Sequence, residues 1–169
     1  MAAEPDVVEL TKPLLLEFAK AVYICQCFES SLCLLLSLMA QETTPGVFEA
    51  SWDFHSKKTL GQLVHRLREQ IEIPEKLDEY LGVAVDKRNQ IIHGCLTKNA
   101  LRLAHPKERL EIEAELLQMK VEIKKRDIVV HKLIDALLAK YGTSNEALKK
   151  GADRYWQHVN PGEGDDVPH

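Results

Sequence analysis

The sequence predicts an all-α protein, an up-and-down bundle of four main helices with a short helix near the C-terminal end. Leu, Glu, Lys and Ala dominate its composition, and these residues favour helix. Apolar residues recur at spacings of three and four, the period of one buried helix face. The 169 residues are 45% hydrophobic and 28% charged, which is typical of a soluble domain with one core. We therefore expect a helical bundle over residues 1–142, then a short helix and a disordered acidic tail over 143–169.

The first helix is predicted over residues 14–41 and ends before a Thr-Thr-Pro-Gly turn. Between residues 21 and 40 it is apolar enough to suggest a membrane span. However, Glu29 would be costly inside a bilayer, and no basic flank precedes the segment. We expect a core helix with no membrane contact, followed by a loop that contains Trp52 and Phe54.

Three further main helices follow from their start and stop signals. The second, over 59–71, opens with the capping-box pattern Thr-x-x-Gln. The third, over 74–93, opens with a proline, which suits a first turn because its missing N–H has no partner there. The fourth is long, covers 105–141 and is closed by Gly142. A short last helix is expected over 143–156.

The most informative residues are Arg88, Asn89 and His93, near the end of the third predicted helix. Arginine grips phosphate with a planar, permanently charged fork, asparagine can orient a hydroxyl, and histidine moves protons near neutral pH. Together these groups match what cleavage of a phosphodiester needs. The alternative is structural: Arg88 pairs with Asp86 or Glu29, Asn89 caps a carbonyl, and His93 is favoured by a helix end.

Arg88 continues the apolar stripe of this helix between Ala84 and Ile91. A guanidinium at that position must be paired or must face a wet cleft, because burial of an isolated charge is costly. On an ideal helix Arg88 and His93 point about 140° apart. They could converge if Arg88 reaches sideways, if the helix loosens at Gly94, or if a second subunit supplies the other half, which we favour.

Gly94, directly after His93, predicts a helix C-terminus with left-handed glycine geometry. The helix macrodipole would then favour the imidazolium form of His93. The alternative is that the chain continues helically through Cys95 and Leu96.

The pattern Arg-Asn-x-x-x-His resembles the signature of the HEPN superfamily. These are small all-α domains found in prokaryotic toxins and defence ribonucleases, and elsewhere as non-catalytic modules. The resemblance extends beyond the motif, because Glu29 on the long first helix is similar to the family's acidic position. Residues 59–63 also resemble the opening of the second helix of the family. Residues from about 14 to 140 are covered in the right order.

The resemblance implies a homodimer in which two motif copies meet at a groove, and metal-independent cleavage of RNA. Arg88 and His93 match the two key positions of the family, and Asn89 matches its frequent polar position. It also implies a toxin or defence setting, with a nucleotidyltransferase-like antitoxin as partner. The alternative is a non-catalytic binding or sensor module for a nucleotide, RNA or protein.

The fourth helix carries a second arginine, Arg126, inside its apolar seam. We expect Arg126 to pair with Asp86, with Glu29 or with a dimer partner, or to join Lys87 in binding RNA at the groove. The alternative is an arginine that snorkels outward from the edge of the seam.

Charge and missing motifs restrict the other function classes. The net charge of −4 counts against a generic nucleic-acid coat, because phosphate binding needs positive charge, which must here be concentrated locally. The four cysteines and seven histidines lack metal-ligand spacing, and no cofactor-binding or nucleophile motif is present, so we expect neither metal nor cofactor. Reduced core cysteines and no recognisable secretion signal predict a cytoplasmic protein.

Overall fold

The computed structural model describes residues 7–40, 45–147 and 149–150, and every regular element in these ranges is helical. The all-α prediction is therefore confirmed for this part of the chain. The α-helices are α1 (Val7–Leu38), α2 (Pro45–Ser56), α3 (Leu60–Gln70), α4 (Glu75–Asn89) and α5 (Pro106–Lys140). A π-helical turn, Gln90–Gly94, follows α4 directly, and a 3-10 turn, Arg102–Ala104, precedes α5.

The helix ends follow the local signals of the sequence. The Thr59 hydroxyl accepts from the N–H of Gln62, and the Gln62 side chain accepts from the N–H of Thr59, so the predicted capping box is confirmed. At the end of α5, Gly142 has a φ of +71°, and the N–H of Thr143 donates to the carbonyl of Leu138 at 3.0 Å. This is a Schellman closure, which needs a left-handed residue after the last turn.

Two predictions for the first third of the chain are wrong. The segment with Trp52 and Phe54 is the helix α2, not a loop. Its Pro-Gly start was read as a turn, but proline is tolerated in a first helical turn. Phe48 and Trp52, four residues apart, have ring centroids 6.5 Å apart in a stacked arrangement. In addition, α1 begins earlier than predicted and includes Pro13.

The two longest helices, α1 and α5, lie side by side and run in the same direction. Their contacts, in chain order, are Glu17–Lys120, Ser31–His131 and Leu38–Tyr141. Because the numbers rise together along both helices, the two are parallel. In a four-helix up-and-down bundle the first and last helices are antiparallel, so that arrangement is not confirmed.

Helices α1, α3, α4 and α5 share one core. Its largest fully buried side chains include Phe28, Leu32, Leu63, Leu67, Leu81 and Leu116. By length and composition alone, α1 could cross a membrane between Thr11 and Leu38, but 56% of its most apolar window is buried within the fold. The core helix of a soluble protein passes the same test, and burial against α5 accounts for the apolar composition of α1.

The predicted last helix and tail fall mostly outside the described residues, which stop at 150 and omit 148. At the start of this helix, the Ser144 hydroxyl accepts from the N–H of Ala147 at 3.2 Å. This is the hydrogen bond of an N-cap, and it lies at the start of the predicted last helix.

Candidate functional site

Arg88 and His93 meet at the π-helical turn that follows α4. Nη1 of Arg88 lies 3.4 Å from Nε2 of His93. In an α-helix, residues five apart diverge, whereas the hydrogen bonds of a π-helix run from i to i+5 and make such residues neighbours. The helix therefore loosens through His93 itself, and the pair forms within one chain. The second subunit, which we favoured for this convergence, is not needed for it.

Glu29 of α1 holds the Arg88 side chain in place. Nε of Arg88 donates to Oε1 of Glu29 at 3.0 Å, and the two side chains are only 16% and 21% exposed. The same carboxylate oxygen accepts from the N–H of Leu60 at 3.3 Å, in the first turn of α3. The free N–H groups and the macrodipole at a helix N-terminus favour a carboxylate there. Three helices thus converge on one oxygen that orients the arginine.

Asn89 and His93 are exposed beside this anchored arginine. Nη1 of Arg88 also donates to Oδ1 of Asn89 at 3.3 Å, so a single guanidinium nitrogen contacts both side chains. Within the described part of the chain, Nη2 of Arg88 has no hydrogen-bond partner. The three predicted catalytic residues are therefore together, and one arginine nitrogen makes no hydrogen bond to the described residues.

The π-helical turn ends at Gly94, as expected for the helix, but the left-handed glycine conformation predicted there is wrong. Among the described glycines only Gly142 has a positive φ, and the chain continues in right-handed turns from Cys95. The N–H of Lys98 donates to the carbonyl of Gly94, and the Thr97 hydroxyl donates to the carbonyl of His93 at 2.7 Å. These hydrogen bonds satisfy the carbonyls of Gly94 and His93 at the end of the π-helical turn.

Arg126 is not brought to this group. Its side chain is buried, its Nε donates to the carbonyl of Tyr80 at 2.8 Å, and its guanidinium lies 4.3 Å from the Tyr80 ring. Nη1 pairs with the carboxylate of Glu122 at 2.6 Å. Tyr80 precedes Arg88 by eight residues, or roughly 12 Å along α4. The partners proposed from the sequence, Asp86 and Glu29, do not contact Arg126 among the described residues, and the arginine does not snorkel outward.

Lys87 lies next to the group but does not contact it. Its Nζ is 3.4 Å from Oε1 of Gln90, which is also exposed. Lys87 is half-buried and contributes positive charge next to Arg88 in the sequence.

An acidic cluster on α5, which was not predicted from the sequence, lies near the π-helical turn. Arg102 contacts three carboxylates, at 3.2 to 3.3 Å, from Glu108, Glu111 and Glu115. A cavity of about 190 Å³ has Glu115 and Gly94 in its wall. The spacing of three and four between the glutamates was the available signal, since it places them on one helix face.

Burial sets the pKa values of the core cysteines. In the described ranges, no group of three or more His, Cys, Asp or Glu side chains could hold a metal ion. The four cysteines are free thiols. Burial raises the pKa of Cys25 to about 12 and that of Cys33 to about 11, with a smaller contribution from the charge of Glu29. Cys25, Cys33 and Cys95 are core residues, as expected from the sequence, whereas Cys27 is only half-buried.

Comparison with protein-family models, curated proteins and solved structures gave no match for this chain.

Proposed function

We propose that the protein is a metal-independent endoribonuclease of the HEPN type that acts as a homodimer. The observation that carries the proposal is the 3.4 Å contact between Arg88 and His93, beside the exposed Asn89. Its support is chemical, because a fixed cation, an amide and an imidazole lie within one turn. These groups can bind the phosphate, orient a hydroxyl and transfer a proton during cleavage of a phosphodiester.

The reaction is attack by a ribose 2′-hydroxyl on the adjacent phosphorus. The new P–O2′ bond forms as the P–O5′ bond breaks, which leaves a cyclic phosphate and a free 5′-hydroxyl. His93 takes the proton of the 2′-hydroxyl or gives one to the leaving oxygen, and His93 of the partner subunit takes the complementary role. Arg88 donates to the non-bridging phosphate oxygens, whose negative charge grows in the transition state. Asn89 orients the hydroxyl or the His93 ring.

Lys87 and Arg126 have different places in this proposal. Lys87 adds charge beside Arg88 and is a candidate contact to the RNA backbone. Arg126 is occupied by Tyr80 and Glu122, so we assign it a structural role and remove it from the RNA-binding residues. The setting we propose is a cytoplasmic toxin or defence protein, with a nucleotidyltransferase-like antitoxin as partner.

The test is RNA cleavage by the purified protein in the presence of EDTA. We expect the native protein to cut single-stranded RNA, with cyclic-phosphate ends, and His93→Ala to lose at least about 100-fold in rate, the usual range for a general acid or base. His65→Ala is the matched control, because His65 is also an exposed helical histidine. Equal activity of the native protein and His93→Ala would refute the assignment.

A non-catalytic binding module is the second candidate, and two observations favour it. The ion pair with Glu29 neutralises Arg88, and the chain carries a net charge of −4. In this case the Nη2 atom of Arg88 binds an anionic ligand that is not cleaved. Intact RNA after long incubation, together with RNA binding that is lost in Arg88→Gln, would establish this alternative.

A further inference from the structure

The cavity of about 190 Å³ beside the π-helical turn is a second candidate site. Gln90, Gly94 and Lys98 line it from the π-helical turn and the turn that follows, and Glu115 lines it from α5. Its volume equals that of about six waters, at roughly 30 Å³ each, which suits one nucleobase and is too small for a peptide segment. His93 directly precedes Gly94, and consecutive Cα atoms are about 3.8 Å apart. A ligand in the cavity therefore lies close to the backbone that carries His93.

The wall formed by the π-helical turn and the next turn supplies hydrogen-bond donors. Cδ, Cε and Nζ of Lys98 lie 3.5, 3.7 and 3.9 Å from the position that a Cβ would take at Gly94, so the lysine chain packs along this wall. Its ammonium forms no ion pair with the described residues. The amide of Gln90 adds a second donor, since only its Oε1 is near a partner, Lys87. This wall thus suits acceptor atoms of a ligand.

The wall on α5 supplies an acceptor that is held in place. Oε1 of Glu115 lies 3.3 Å from Nη2 of Arg102, and Oε2 has no hydrogen-bond partner among the described residues. Arg102 is fixed in turn by Asn99, whose Oδ1 accepts from Nη1 at 2.8 Å. Ile112 and Met119 line the cavity three residues before and four after Glu115, on the same helix face. The carboxylate is therefore an acceptor flanked by apolar surface.

The charges around the cavity disfavour a phosphate. Glu108, Glu111 and Glu115 share one guanidinium, that of Arg102. Even with the ammonium of Lys98, the carboxylates outnumber the cations. The cavity therefore suits a neutral, flat ligand that has donors on one edge and acceptors on another. A nucleobase has these properties, and binding sites of this kind combine apolar surface with a few polar groups.

Guanine fits the two walls better than the other bases. One edge of guanine carries a ring N–H beside an amino group, and the neighbouring edge carries two acceptors, a carbonyl oxygen and a ring nitrogen. The carboxylate of Glu115 can accept from both donors, and hydrogen bonds to an ionised group are the stronger ones. Lys98 and Gln90 can donate to the two acceptors. Adenine would instead present a ring lone pair to the carboxylate, uracil two carbonyl oxygens, and cytosine a single donor group.

We propose that this cavity binds the guanine base of a nucleotide next to the phosphate on which Arg88 and His93 act. RNA as the source of the guanine rests on the proposed ribonuclease function, whereas recognition of the base rests on the cavity alone. The protein then cuts RNA preferentially at phosphates that adjoin a guanosine.

The first test is binding of guanosine 5′-monophosphate to the full chain by isothermal titration calorimetry. The adenosine, cytidine and uridine monophosphates carry the same ribose and phosphate, so a difference in affinity reports the base. We expect the guanosine nucleotide to bind at least about 10-fold more tightly than the others, and Glu115→Gln to weaken it by about 10-fold, as for loss of a two-bond contact to a base. Lys98→Gln should also weaken this binding.

Glu111→Gln is the matched control for Glu115→Gln. Glu111 also lies 3.3 Å from Arg102 and is 52% exposed against 53% for Glu115, but it does not line the cavity. It should therefore leave the affinity for guanosine 5′-monophosphate unchanged. Both variants should keep the helical circular dichroism of the native protein, because both side chains are exposed. Equal affinity for the four nucleotides, or equal loss in the two glutamate variants, would overturn the proposal.

The second test maps the cuts in an RNA of mixed sequence and separates this inference from the proposed function. We expect cleavage next to guanosine to be at least about 10-fold faster than elsewhere, and Glu115→Gln to remove that preference. Cleavage without preference for guanosine would overturn the inference and leave the ribonuclease standing. Guanosine-specific binding without any cleavage of RNA would overturn RNA as the source of the guanine, together with the proposed ribonuclease, and assign the cavity to a free guanine nucleotide.

Discussion

Breaking the ion pair between Glu29 and Arg88 should destabilise the fold, because water reaches little of either side chain. About four-fifths of each side chain is covered, and Nε lies 3.0 Å from Oε1. Exposed pairs contribute about 0–1 kcal/mol, whereas loss of one partner of a buried pair costs about 3–5 kcal/mol. Since the N–H of Leu60 still donates to Glu29, the cost lies between these limits. We expect Arg88→Gln to lower the free energy of unfolding by about 2 kcal/mol.

The assay is a double-mutant cycle of Glu29→Gln, Arg88→Gln and the double variant, by urea unfolding followed by circular dichroism. We expect a coupling energy of about 1–2 kcal/mol. The matched control is the pair of Asp53 and Lys57, both 69% exposed, for which about 0.3–0.5 kcal/mol is expected. A coupling for Glu29–Arg88 no larger than that of the control would refute the reasoning.

Three further predictions follow from other contacts. Arg126→Met should lower the free energy of unfolding by about 2–3 kcal/mol and leave RNA cleavage per folded molecule unchanged. A selective loss of cleavage would return Arg126 to the RNA-binding residues. The hydrogen bond from Lys120 lowers the pKa of Glu17 to about 2, so the stability that this carboxylate supplies is complete above pH 4.5 and is lost towards pH 2. The urea midpoints of the native protein and Glu17→Gln should accordingly differ at pH 7 and converge near pH 2; a constant difference would contradict this. Burial raises the pKa of Cys25 to about 12, so this thiol should resist alkylation by iodoacetamide at pH 8 in the folded protein. Mass spectrometry of the labelled protein checks this, and rapid labelling of Cys25 would contradict it.

Local chemistry made the helix ends predictable. The side chains of Thr59 and Gln62 each accept a hydrogen bond from the backbone N–H of the other residue, and Gly142 takes a left-handed conformation. Both signals therefore depend on a few adjacent residues. The helix α2 was missed because Pro and Gly at its start are equally common in turns. Its formation depends on packing against α1, which a local pattern does not contain.

The contact between Arg88 and His93 was not predictable from periodicity. The buried positions Ala84, Ile91 and Cys95 fit an ordinary α-helix as well as one with a π-helical turn, so their spacing gives no sign of the wider turn. Glu29, one of the two acids proposed as a partner of Arg88, does pair with it, although it lies 59 residues away in the chain. Spacing alone cannot identify contacts at that separation.

For Arg126 the burial was predicted correctly, but its partners were not. Its place in the apolar seam correctly indicated a buried position, because Arg126 is only 6% exposed. The choice of partner was wrong because the carboxylate of Glu122, one helical turn earlier, and the carbonyl of Tyr80 were nearer than any distant acid. A neighbour at i−4 on the same helix is the first partner to consider for such an arginine.

The most direct test of the central claim, that one chain carries Arg88 and His93 as a single site, is subunit complementation. Arg88→Gln and His93→Ala would be purified separately, mixed, refolded together and assayed for RNA cleavage against the native protein. We predict that the mixture stays as inactive as either variant alone, because no chain in it carries both residues. Recovery to about one quarter of native activity, the share expected when half of the dimers regain one of two sites, would contradict the claim and show that Arg88 of one subunit acts with His93 of the other.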